Sequence, residues 1–212
     1  MHHRVLDSLT IKRVGIVRHM GGGLVGDRPG RAIMAQDAQP HIGATIIGAT
    51  FSNPTGTAAD QTINGTFKNC TFTGSNGLRW CYAGETVVFE NCTFSGDVYG
   101  VHFDGGANEV LFKNCTFSGF NAIGGEINLA TYDGCTFDAN GKSSYNGINL
   151  WGDSVLTGCT FVFDGTATYE WVEICGAGKT ATFKDCIVTD GTNETPIEEV
   201  ASARTGAFLV FE

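Results

Sequence analysis

Five short apolar triplets along the chain each carry a polar residue at the centre: Leu78-Arg79-Trp80, Val101-His102-Phe103, Ile127-Asn128-Leu129, Ile148-Asn149-Leu150 and Val172-Glu173-Ile174. In a strand the flanking members point one way and the central one the other, so Arg79, His102, Asn128, Asn149 and Glu173 form a row that is expected to face water. Asp104, Glu126, Trp151 and Asp153 lie beside it. A polar strip with Trp151, and with Tyr82, Tyr99 and Tyr145 nearby, suits a sugar chain whose rings stack on the aromatic faces. An ordinary solvated face looks the same, because some surface must be polar. Glycoside cleavage needs two carboxylates roughly 5–9 Å apart. Asp104 with Glu126, or Asp153 with Glu173, meets that on adjacent coils, but acids are so common here that such pairs arise by chance. Lyase chemistry needs clustered acids around calcium and a base to take the proton. Arg79 and His102 are the only basic residues of the strip. No catalytic residue is assigned.

Eight cysteines (70, 81, 92, 115, 135, 159, 175, 186) offer a second chemistry. No CxxC pair and no Cys/His pair stands at zinc spacing, so neither metal nor cofactor is expected. Six of the eight recur at one position of a repeat. Phe89-Glu90-Asn91-Cys92-Thr93-Phe94-Ser95-Gly96 is written again around Cys70 and Cys115, more loosely around Cys135, Cys159 and Cys186, and with Ala49 in place of Cys; the copies lie 20 to 27 residues apart. A period of that length is the mark of a solenoid.

The repeat specifies the elements that would hold the strip. The aromatic before the turn, the Cys and the apolar residue two places on should point inward, with the intervening Thr outward. The residue before Cys is Gly48, Asn69, Asn91, Asn114, Gly134, Gly158 or Asp185, the types that tolerate a left-handed backbone, so a sharp corner is expected there. One place earlier stand Lys68, Glu90, Lys113, Asp133, Thr157 and Lys184, whose alternating sign favours stacking in register. Two or three short strands per coil, glycine-rich corners and no helical stripe predict an all-β parallel β-helix of about six to seven coils. The cysteine column then becomes an inward stack of free thiols. The outward Thr ladder resembles those of ice-binding solenoids but decays at Asp138, Val162 and Ile187.

Three segments are expected: a basic, non-repeating N-terminal arm over 1–40, the β-helix over 41–195 and a C-terminal cap over 196–212. Residues 53–56 read as a loop, 196–201 as a helical turn or two, and the apolar end as a strand capping the solenoid. The arm carries Arg4, Lys12, Arg13, Arg18, Arg28 and Arg31 against three Asp, a net +3, whereas residues 41–212 sum to −12. Such an acidic shaft would repel nucleic acid, and a Gly-rich arm with little apolar content needs a partner to order it. Hence the arm is expected to be an assembly anchor on another protein, in a homo-oligomer. No apolar run of membrane-span or signal-peptide length occurs in the sequence. The chain as written reads as unexported, with reduced thiols made in a reducing compartment.

Over residues 42–190 the repeat resembles the pectate-lyase-like superfamily of right-handed parallel β-helices, in its inward stacks and Asn-bearing corner. That resemblance implies a right-handed coil. The superfamily includes polysaccharide lyases and hydrolases, surface adhesins, and phage tailspikes, fibres and head spikes; no catalytic motif of its enzymes aligns on these residues. The expectation is therefore a non-enzymatic structural or attachment protein. Its sharpest form is a virion appendage of a phage head or tail, at a virion or cell surface, that presents the strip to a glycan. The alternative is a carbohydrate-active enzyme on the same fold.

Overall fold

The computed structural model describes residues 10–12, 45–103, 109–119, 129–138, 148–162 and 172–212. In chain order its strands begin with β1 (Thr10–Lys12), β2 (Thr45–Ile47), β3 (Thr50–Lys68), β4 (Thr71–Glu90), β5 (Thr93–Phe103) and β6 (Glu109–Lys113). They continue with β7 (Thr116–Ser118), β8 (Leu129–Asp133), β9 (Thr136–Asp138), β10 (Ile148–Leu150), β11 (Asp153–Thr157) and β12 (Thr160–Val162). The last are β13 (Val172–Ile174), β14 (Thr180–Lys184), β15 (Ile187–Thr189), β16 (Glu194–Pro196), β17 (Ala201–Ala203) and β18 (Phe208–Phe211). A single turn of 3-10 helix, Ile197–Glu199, separates β16 from β17.

The corner residues organise the stack. Asn69, Asn91, Asn114 and Asp185 have φ between 50° and 53°, and Gly48, Gly134 and Gly158 between 60° and 68°. This left-handed geometry is open to Gly, Asn and Asp with the least strain. The corner N–H groups from Gly48 to Gly158 each donate to the next coil, as from Asn91 to the Lys113 carbonyl at 2.9 Å and from Asn114 to that of Asp133 at 2.8 Å. Ahead of the corners, β2, the ends of β3 and β4, β6, β8, β11, β14 and β18 form one parallel ladder. Behind them, the starts of β3, β4 and β5 are followed by β7, β9, β12 and β15 in a second. β10, β13 and β17 make a third. The molecule is a parallel β-helix.

Its core is a set of columns. Phe51, Phe72, Phe94, Phe117, Phe137 and Phe161 stack face to face, with centroids 4.6–5.1 Å apart. Phe67, Phe89, Phe112 and Tyr132 stack beside them at 5.0–5.1 Å, and the two columns meet edge to face. Such pairs add roughly 0.5–1.5 kcal/mol each beyond the area they bury. The alternating charges ahead of the corner stand in register, and Lys68 and Glu90 form an ion pair.

One local expectation fails. Residues 53–56 are not a loop: they lie within β3, where the pairing with β4 slips between Asn53 and Thr57. Pro54, which has no N–H to donate, accounts for the slip. The apolar C-terminal strand lies at the end of the first ladder. β18 adds a further parallel strand to β14 and leaves Phe208, Val210 and Phe211 exposed. The fold-back at that end is β16, antiparallel to β15.

Candidate functional site

The third sheet assembles part of the polar row. β10 and β13 place Asn149 opposite Glu173, and β17 adds Ser202 beyond it. Earlier in the row the alignment is imperfect. Leu78 pairs with Val101 but Cys81 with Phe103, so β4 carries one more residue than β5 between these points, across Arg79 and His102. Asp104, Glu126, Asn128 and Tyr145 lie outside the described residues, as do the side chains of Arg79, Tyr82, Tyr99, His102 and Asn149. Of the anchor residues, Lys12 is placed on β1, opposite Ile47; Arg4, Arg13, Arg18, Arg28 and Arg31 lie outside the described residues.

Glu173 corrects the expectation of a water-facing row. It is only 7% exposed. Arg204, just past β17, lays its guanidinium over the carboxylate, with Nε donating to Oε1 at 2.7 Å and Nη2 to Oε2 at 2.8 Å. The Cys175 thiol donates to Oε2 at 3.4 Å. A carboxylate this deep needs a counter-charge, and the fork of an arginine supplies two bonds at once. The same guanidinium carbon stands 5.5 Å from the centroid of the Trp151 ring, which keeps 39% of its surface exposed. Gly176 packs against the backbone of Trp151. A Cβ on that glycine would lie 2.2 Å from the Trp151 carbonyl oxygen, so the coils can approach this closely only with glycine there.

Asp153, at the start of β11, is exposed but engaged. The Thr180 N–H donates to its Oδ1 at 3.0 Å and the Lys179 ammonium to Oδ2 at 3.1 Å. These bonds, the backbone one first, hold its carboxyl below the usual carboxylate range. Asp153 and Glu173 thus each have a cation of their own. The geometry makes them structural charges flanking an exposed tryptophan. Arg204 and Lys179 are the site residues that sequence reading missed. Neither stands at the centre of an apolar triplet: Arg204 lies one residue past β17 and Lys179 one residue before β14.

The thiol column is buried as expected. Cys70, Cys92, Cys115, Cys135, Cys159 and Cys186 are free thiols, all but Cys186 fully buried. Each Sγ, with one proton to give, lies within hydrogen-bonding distance of two carbonyls: Cys92 of Phe67 on the previous coil at 3.4 Å and of Glu90 at 3.5 Å, Cys115 of Phe89 at 3.5 Å and of Lys113 at 3.4 Å. Hydrogen bonding with the thiol one coil back, together with burial, pushes Cys135 and Cys159 up to about 12. Protonated, buried thiols of this kind are not nucleophiles. Among the described residues no group of His, Cys, Asp or Glu is arranged to hold a metal ion, and no helix is long and apolar enough to cross a membrane.

Compared with known protein families, the chain matches the one described as "Right handed beta helix region", over residues 38–140 and, in an overlapping match, 60–199. No curated protein and no solved structure matches it.

Proposed function

The chain belongs to the right-handed β-helix family, and from that premise we propose that it is a non-enzymatic structural and attachment protein. The solenoid is a rigid acidic shaft, the exposed surface around Trp151 beside the third sheet is its contact for a surface glycan, and the basic arm over 1–40 anchors it to a larger assembly such as a virion head or tail appendage. One observation carries the reading: Asp153 and Glu173 are neutralised by Lys179 and Arg204, while Trp151 between them stays exposed. A general acid must hold and release a proton, and a nucleophilic carboxylate must be open to the sugar. Carboxylates locked to arginine and lysine do neither. They fix the platform on which an indole can stack against a sugar ring, the contact that an adhesive surface needs.

Incubation with a panel of acidic and neutral polysaccharides tests this. The expected result is retention of at least one glycan without cleavage, with affinity reduced about tenfold in Trp151→Ala, the loss of one good stacking contact. New reducing ends or unsaturated uronates that vanish on Asp104→Ala or Glu126→Ala would overturn it in favour of a carbohydrate-active enzyme.

A further inference from the structure

The ends of the three ladders are treated differently. The second is closed by β16, which runs antiparallel and brings Pro196 and Glu194 to the edge, devices that discourage further pairing. The third ends at β17, where the Arg204 N–H bonds to the Ile174 carbonyl and its side chain folds over Glu173. The first ends in β18, Phe-Leu-Val-Phe, with no proline, lysine or bulge. Phe211 belongs to the inward column of Phe89, Phe112 and Phe183, none more than 1% exposed, yet 37% of it is open. The N–H groups of Phe208 and Glu212 donate to the carbonyls of Lys179, just before β14, and of Phe183 within it. By alternation the N–H and C=O groups of Leu209 and Phe211 therefore point to the open side, where no described strand pairs.

The opposite end of this same ladder is β1, which pairs in parallel with β2 and with no other described strand. The two edges of a parallel sheet complement each other rather than themselves, so the surface that continues β18 is the one β1 presents. We infer that β18 accepts β1 of a second copy, joining solenoids head to tail with every strand still parallel. The register is fixed by the columns, because a slip of one residue would turn the apolar set outward. Thr10 falls opposite Val210, Ile11 opposite Phe211 and Lys12 opposite Glu212. In register, Ile11 continues the position of Ile46 and Phe67, and Lys12 that of Ile47, Lys68 and Glu90. The joint thus extends the ladder and brings Lys12 to the register position opposite Glu212. The surroundings agree in charge: residues 176–212 carry six acids and three bases, whereas residues 1–40 carry six bases and three acids. The contact is heterologous and does not close on itself, so it builds linear arrays. It stands independently of glycan binding.

Sedimentation velocity of the full chain over a wide concentration series tests the joint. The expected result is a run of successive multiples that grows with concentration and shrinks with added salt. Glu212→Lys, at an exposed terminal position, should weaken association by about tenfold with unchanged circular dichroism. Lys12→Glu should do the same, and the double variant should restore it. Phe211→Pro, which removes an N–H facing the open edge, should also cut association. A monomer at every concentration, a species that stops at two, or a double variant that fails to regain what the single reversals lose would overturn the inference.

Discussion

At the scale of the residue, Cys135 and Cys159 show how a reactive side chain is made inert by position. Cys135 and Cys159 lie between two aromatic columns, each bonded to carbonyls on its own coil and the one before. Folding raises their pKa from about 8.5 in an unfolded chain to about 12. Between those values the folded protein keeps protons that the unfolded chain has given up. Their contribution is therefore complete below about pH 8.5 and is lost as pH rises toward 12. The urea midpoint should fall steadily above about pH 9, and Cys135→Ala should make that decline shallower. Thiol titration of the denatured protein without reductant should find all eight cysteines reactive; finding disulfides would refute the stack. The inward thiols were legible because Cys recurs between two apolar columns. The burial of Glu173 was not. Alternation tells which way a side chain leaves the strand, and says nothing of an arginine 31 residues later that will cover it.

At the scale of the element, the corner decides the coil. An L-residue pays roughly 1–2 kcal/mol for the left-handed conformation unless its side chain is Asn, Asp or absent. Asn91, with φ of 53° and an exposed side chain, isolates this preference from core packing. Asn91→Gly should leave stability within about 0.5 kcal/mol of the parent, as for surface changes that break no local rule. Asn91→Ala should cost about 1 kcal/mol, and Asn91→Val more, because its β-branch crowds the backbone further. Equal denaturation midpoints for the three variants would mean that the corner geometry does not select the residue. These corners, the inward columns and their parallel register could all be read from the repeat, because each coil restates the same local rule. The C-terminal elements could not. β16, β17 and β18 occur once each, and their places depend on which ladder still has an open edge. That is a property of the assembled stack, and residues 196–212 do not contain it locally.

At the scale of the whole molecule, charge and edge geometry point the same way. A shaft of net −12 carries at its first described strand an arm of net +3, and β1 is the one part of that arm the structure places, paired with β2. Ordering a Gly-rich segment costs on the order of 1–2 kcal/mol per residue, more than its few apolar side chains recover alone, so ordering the arm would take a surface for it to lie against. That surface is either the chain's own solenoid or another subunit, and deletion of residues 1–40 separates the two. If the arm is an anchor, β2 to β18 keep their ladders without it, because the aromatic columns begin at Phe51 and Phe67 and do not rely on the arm. The truncated chain should then retain its β-sheet circular dichroism and lose association. If the arm is a cap, Ile46 and Phe67 are uncovered, and the truncated chain should aggregate or unfold at a lower denaturant concentration than the parent. That second outcome would remove the main support for an attachment role, since the basic residues would then be serving the chain's own acidic shaft.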